Sequence, residues 1–306
     1  MEKMFSKPKR FAEVLDLTFR IIKEQFGKLF LLLLAFYSPI IVTQALIQVF
    51  AGRGFIRDLA PGESFFEQII NTTVEMDELF INPAETYGNL LLGLMQLIVV
   101  PIATASVILI VKYLKDNQSY EIKTIAKQAF SRFWPLVGSY LLFSIIASIT
   151  IIIPIAIIGS IAAFSFLSDR IIAGLLFILL IFVLLIALLL LITRWSLFLP
   201  ISLFKGAPGL SDSFHLTRGR TWMTFWLYVT LFIITGFVTS AFEIVALFLG
   251  VSVLYTIIIN IVGIFTTMIF SVGYAVIYFD LDVRQTGSDL KGMINEYQTQ
   301  DVDRLR

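Results

Sequence analysis

The chain has 306 residues, of which 58% are hydrophobic and only 15% are charged, and its formal net charge is +1. A mean hydropathy of +0.90 is too high for a soluble domain with an ordinary polar surface. The sequence contains no cysteine and a single histidine, His215. This composition excludes disulfides, thiolate catalysis, Fe–S clusters, Cys-ligated zinc and His-rich metal sites, and it indicates a membrane protein without a metal or other cofactor.

The first part of the chain, residues 1–28, is predicted to form an interfacial helix on the cytosolic side. Between Phe11 and Phe26, apolar residues recur at helical spacing while charged residues occupy the other side. A solvated helix packed on the cytosolic end of a helix bundle fits the same pattern. The first membrane span is expected at about Leu29 to Phe50, with Pro39 at its middle.

Residues 51–89 form a long polar segment with a net negative charge. Ser64 and Glu67 have the spacing of a capping box, and an apolar stripe follows them. This pattern predicts an amphipathic helix over Phe65 to Phe80, lying against the outer ends of the spans and stopped by Asn82-Pro83.

Three further apolar runs precede residue 193. The second span is expected at about Leu90 to Val111. The run from Trp134 to Leu167 would make a helix of about 51 Å, which is long for one span, so we expect Pro154 or Gly159 to bend or end it. Ile171 to Ile192 is entirely apolar or glycine and would cover about 33 Å, the thickness of a bilayer core.

The last apolar stretch, from Trp222 to Phe279, contains one formal charge, Glu243. Its length predicts two spans with a tight turn near Gly250, followed by a polar cytosolic tail over residues 280–306.

A turn at Gly250 would place polar residues of these two spans at equal depth. Ser240 and Glu243 share one helix face, as do Thr256 and Asn260, so the four side chains could form one polar seam. The structural interpretation is interhelical hydrogen bonding, and the functional interpretation is a proton-titrating site in a transport path.

The predicted fold class is all-α: a polytopic integral membrane protein with six transmembrane helices, arranged as three hairpins with interfacial amphipathic helices. The membrane domain covers residues 29–279. Of the 23 Lys and Arg residues, only Arg53, Arg57 and Arg170 fall on the side opposite the termini, which predicts that both termini are cytosolic. A weak threefold repeat of interfacial helix and hairpin is one explanation of the recurring aromatic-basic pattern; the ordinary preference of membrane interfaces for these residues is the other.

Three stretches resemble a known family: Lys7 to Arg20, Ser211 to Gly219, and Tyr278 to Leu290. They are similar to the membrane domain of bacterial glycerophosphoryl diester phosphodiesterase and to stand-alone bacterial membrane proteins built on that domain. The matching residues of the closing motif are Tyr278, Asp280, Leu281, Arg284, Gly287, Asp289 and Leu290. Asp282 and Thr286 depart from the family pattern.

The resemblance implies a multi-pass protein of the bacterial cytoplasmic membrane with an ill-defined activity of its own. In the family the phosphodiesterase is a separate soluble barrel, and the sequence contains no stretch of that kind. It also lacks clustered carboxylates with a histidine, and a Gly-x-Ser-x-Gly or P-loop motif, so we do not expect an enzyme.

Two functions remain. The first is a non-catalytic membrane protein that binds a partner protein, a lipid or a membrane-active peptide and affects envelope integrity or resistance. The alternative is a transporter or permease subunit, because Pro39, Pro101 and Pro154 could break helices around a midplane site. Membrane lipid is the expected partner in either case, nucleic acid is not expected, and the oligomeric state is left open.

The distribution of basic residues makes the topology testable. A cysteine introduced at Glu75 should react with an impermeant maleimide in intact cells, and one at Gln298 should not. The opposite labelling pattern would contradict the predicted orientation.

Overall fold

A computed structural model describes residues 8–56, 83–166, 171–206, 208–250 and 252–286, and this part of the chain is helical, without strands. The helices are α1 (Phe11–Phe50), α2 (Pro83–Lys115), α3 (Ile122–Ser131), α4 (Phe133–Phe166), α5 (Ile171–Trp195), α6 (Phe198–Lys205), α7 (Leu210–Leu216), α8 (Thr221–Ala246) and α9 (Val253–Thr286). The predicted helix Phe65 to Phe80 and the tail beyond Thr286 lie outside the described residues.

Six of the helices are long and apolar enough to cross a membrane: α1, α2, α4, the continuous α5–α6 stretch, α8 and α9. They form three hairpins, α1 with α2, α4 with α5, and α8 with α9. The predicted fold class, an all-α polytopic membrane protein, is confirmed.

Each hairpin is preceded by a helical segment that lies against the end of the bundle. In the first hairpin this segment is the beginning of α1, which continues into the span through one non-helical residue, Gln25 (φ −116°, ψ 15°). In the second it is α3, which ends at Arg132 with nearly the same conformation (φ −105°, ψ 23°). In the third it is α7, separated from α8 by a turn in which Gly219 has a φ of +81°. Two of the three units therefore enter the membrane through the same backbone bend.

The prolines do not break the spans. Pro39, Pro101 and Pro154 each lie inside a continuous helix, so the prediction that the helix ends at Pro154 or Gly159 is wrong, while a bend there stays a prediction. A proline removes one backbone hydrogen bond, but a long apolar helix keeps its remaining bonds because lipid offers no substitute for them.

Two predicted boundaries also move. Pro83 begins α2, so residues 83–89 are part of this helix and not of the preceding loop; the fixed φ of proline suits the first position of a helix. The last span continues past Phe279 to Thr286. The predicted turn at Gly250 is confirmed, since α8 ends at Ala246 and Gly250 has a φ of +57°.

The hydrophobic core lies towards the end of the bundle where Lys9 meets Asp280, called here the terminal end. The opposite end, with Phe50, Pro83 and Gly250, is the loop end. Helix α9 is buried without interruption over residues 271–281, between α1, α2 and α8.

A short buried helix closes the terminal end. All residues of α6 from Phe198 to Leu203 are buried, and Ser202 donates a hydrogen bond to Ser139 of α4 (2.8 Å). On the α3 side, the phenol of Tyr120 donates to Gln25 (2.8 Å) at the α1 bend, and burial raises the pKa of Tyr120 so that it stays a neutral donor.

The connection from α6 to α7 depends on Gly209. Its φ is +72°, and a Cβ atom there would lie 2.6 Å from the carbonyl oxygen of Phe198. We therefore expect Gly209→Ala to lower the free energy of unfolding by about 1–3 kcal/mol. Differential scanning fluorimetry in detergent measures the shift.

The matched control is Gly27→Ala. Gly27 is helical, exposed and has open space where its Cβ would be placed, so this variant should be as stable as the parent or more stable by about 0.5–1 kcal/mol. Equal melting temperatures for both variants would contradict the close approach at Gly209.

Candidate functional site

Thr256 and Asn260 do face a neighbouring span, but that span is α1. Asn260 Nδ2 donates to Gln44 Oε1 (2.9 Å) and to the Thr256 carbonyl (2.8 Å). Gln48 Nε2 donates to Thr256 Oγ1 (2.7 Å). These four residues form a polar seam between α1 and α9, which we call the amide seam.

The other two residues predicted for this seam lie elsewhere. Ser240 and Glu243 are exposed on α8, and neither hydrogen-bonds to Thr256 or Asn260. The prediction that all four meet is therefore corrected: residue spacing shows which side chains share a helix face, but not which neighbour that face contacts.

The sequence analysis missed Gln44 and Gln48 as partners. They are four residues apart on a span, like Thr256 and Asn260, and this matching spacing could have paired the two helices. The buried Oε1 atom of Gln48 has no hydrogen-bond partner within the described structure. The seam otherwise satisfies its own polar groups and holds α1 to α9.

Part of the closing motif forms a latch between the two ends of the chain. Asp280 accepts a hydrogen bond from the Lys9 backbone N–H (2.6 Å) and one from Arg284 Nε (2.8 Å). Arg284 also donates to the Lys9 carbonyl (2.5 Å). Asp280 is buried, and its carboxylate is charge-balanced by Arg284.

The remaining residues of that motif have different positions. Tyr278 is buried and stacks on Phe204 of α6, with 5.9 Å between ring centroids. Asp282, which departs from the family pattern, lies 3.9 Å from Lys115 of α2. Gly287 and Asp289 lie outside the described residues.

The middle stretch of the resemblance also serves packing. Ser213 Oγ donates to the Arg194 carbonyl (2.8 Å) at the end of α5 and accepts from the Leu197 N–H (3.0 Å). The guanidinium of Arg194 lies over the Phe214 ring, 3.5 Å from its centroid. These contacts fix α7 beneath α5 and α6.

An ion pair joins α1 to α2 at the loop end. Arg53 Nε lies 3.0 Å from Glu85 Oε1, and the Glu85 side chain is only 4% exposed. Two backbone bonds, from Val253 N–H to the Gly54 carbonyl (3.2 Å) and from Leu254 N–H to the Phe55 carbonyl (3.1 Å), add the start of α9. Helices α1, α2 and α9 are thus tied together at both ends.

Three stretches of the other spans, like residues 41–50 of α1, lack the continuous burial of α9: residues 141–156 of α4, 181–192 of α5 and 232–245 of α8. None of their residues is buried, and we call them the open region. Helix α8 meets α9 closely at Leu231, whose Cδ1 would lie 2.6 Å from a Cβ on Gly273, and Ala246 is buried at its other end. The segment between these two contacts is open.

Glu243 lies in that segment without an ion pair or hydrogen bond to any described residue. No group of three potential metal ligands occurs among the described residues either. The charged and amide side chains of the amide seam, the latch and the Arg53–Glu85 pair bind one another, whereas Glu243 remains available to a ligand.

The latch should behave as a structural element. Asp280→Asn removes the charge opposite Arg284 while keeping the side-chain shape, so we expect it to lower the free energy of unfolding by about 2–3 kcal/mol. Thermal unfolding in detergent measures the loss. Asp212→Asn is the control, because the Lys205–Asp212 pair is exposed (62% and 46%) and should contribute less than about 1 kcal/mol. Equal losses would mean that the latch contributes no more than a surface pair.

No family model matches this chain, and neither the curated proteins nor the solved structures contain a significantly similar one. The structure alone establishes the architecture: a multi-pass, all-α membrane protein with three tightly connected helices and an open region.

Proposed function

We propose that this protein is a non-catalytic integral membrane protein that binds membrane lipid in its open region. A partner protein and a membrane-active peptide are the other ligands that the sequence favours. The open region supports lipid, because its walls are apolar and their depth is that of acyl chains.

One observation carries the proposal. The six residues from Ser240 to Val245 are all exposed. Successive residues of a helix are rotated by about 100°, so six of them cover the whole circumference. A lipid-facing helix of a packed bundle exposes only its outer face, whereas this segment also exposes the face directed towards its own bundle. In a bilayer, acyl chains are the available material to cover that face.

The size of the exposed apolar surface supports lipid further. Phe237 is 75% exposed and Val245 66% exposed. Ile40 on α1 and Val262 on α9 are buried. The tied helices α1, α2 and α9 thus provide a fixed scaffold beside which α8 and the α4–α5 hairpin leave room for a ligand.

The sequence resemblance extends the proposal to location and role. The basic residues favour cytosolic termini, which would place the loop end of α8 in the outer leaflet of a bacterial cytoplasmic membrane. A protein that binds lipid there would affect envelope integrity or resistance to membrane-active agents. For the transporter alternative, the continuous helices through Pro39, Pro101 and Pro154 give less support than broken helices would.

The proposal predicts how lipid contacts are distributed along α8. Because the chain has no native cysteine, single cysteines at each position from Ser240 to Val245 can carry a bimane label in phosphatidylcholine nanodiscs. Lipids with brominated acyl chains should quench the label strongly at all six positions. After dilution into unbrominated nanodiscs, the positions facing the bundle should recover fluorescence more slowly, since bound lipid exchanges more slowly than bulk lipid.

Ser271 and Ala275, both buried in α9, are the controls and should be quenched weakly. Quenching at Ser240 to Val245 that repeats every three to four residues would show that one face of α8 is covered by protein. That result, or equal recovery rates at all positions, would contradict the proposed lipid site.

A further inference from the structure

Glu243 places a single negative charge in the open region. It is the only formal charge between Trp222 and Phe279. It is exposed, and it makes no ion pair or hydrogen bond with any described residue. An acid with no internal partner, in a segment that is otherwise apolar, requires a counterion or water from outside the helix bundle.

The nearest environment of Glu243 is apolar and aromatic. Its neighbours on α8, Phe242, Ile244 and Val245, are exposed by 51%, 63% and 66%. The side chains around the acid therefore offer hydrophobic surface for a chain and an aromatic ring for a cation.

Arg53, the basic residue that the structure describes at the loop end, does not neutralise Glu243. Arg53 lies 3.0 Å from Glu85, which is buried and binds it through both carboxylate oxygens (3.0 and 3.5 Å). Moving Arg53 to Glu243 would leave Glu85 as a buried, unpaired charge, which is strongly unfavourable. Glu243 is thus left for a ligand.

The depth of Glu243 determines which ligand can reach it. It lies three residues before the end of α8, about 5 Å along the helix axis. That is the zone where lipid headgroups meet acyl chains. A ligand with a charged head and an apolar tail can place the head beside the carboxylate and the tail along the open face of α8.

We propose that Glu243 and the exposed end of α8 form a binding site for a cationic amphiphile, a molecule with an ammonium head and a long alkyl tail. This inference rests on the proposed lipid-binding function and adds its headgroup chemistry. The carboxylate selects the ammonium by charge. The apolar side chains of the open region bind the alkyl tail equally well whether its head is charged or neutral.

Two probes of the same chain length separate these contributions. The full-length protein in phosphatidylcholine nanodiscs is equilibrated with radiolabelled hexadecylammonium or with hexadecanol, and binding in excess of empty nanodiscs is measured. We expect the protein to prefer the ammonium by about tenfold, and Glu243→Gln to reduce this preference to about one. Glu243→Asp should retain most of it.

Glu121→Gln is the matched control. Glu121 is exposed before α3 at the terminal end, so this variant loses the same charge far from α8 and should keep the preference. Thermal unfolding of all variants excludes a general loss of the fold.

The outcomes distinguish this inference from the function on which it rests. If both probes bind in excess but Glu243→Gln changes nothing, the cationic site is wrong while lipid binding stands. If neither probe binds in excess, both proposals fail. If a lysine-rich amphipathic peptide binds through Glu243 and hexadecylammonium does not, the ligand is a peptide and the inference is overturned.

Discussion

The packing of α9 between α1, α2 and α8 is the constraint on which the rest of the structure depends. Eleven consecutive residues, 271–281, are buried, so this helix is covered on every side by protein. Lipid competes poorly for such a surface because close packing between helices, and not the hydrophobic effect, holds membrane helices together. Three polar contacts reinforce this packing: the amide seam and the latch bind α9 directly, and the Arg53–Glu85 pair secures α1 to α2.

That reinforcement has a consequence for function. With α1, α2 and α9 tied at both ends, α8 packs along α9 and closely at Leu231, yet none of its residues from 232 to 245 is buried. The two extremes of burial lie in one hairpin: residues 271–281 of α9 are buried on all sides, and residues 240–245 of α8 are exposed on all sides. A bundle that is rigid on one side and open on the other can accept apolar ligands without rearranging its core.

The closing motif illustrates how a charged pattern can be structural. Asp280 and Arg284 bind each other and hold the Lys9 backbone. The middle stretch similarly uses Ser213 to cap the end of α5. Each of these residues fastens an interfacial segment to the terminal end. Glu243 differs because no such partner was found for it in the described structure.

The sequence by itself determined the spans, the turn at Gly250, the interfacial segments and Glu243 as the one formal charge between Trp222 and Phe279, because bilayer thickness and the cost of charge in lipid act on local composition. It could not determine that α4 continues through Pro154, since that depends on the whole helix keeping its bonds. It also placed Thr256 and Asn260 on one face correctly but assigned them the wrong neighbour. Only the tertiary structure decided that this face meets Gln44 and Gln48 of α1, and that α8 turns Glu243 away from the amide seam. The rotation of a helix about its axis is set by packing against distant segments. In an apolar span nearly every face is hydrophobic, so the sequence does not indicate which face contacts which neighbour.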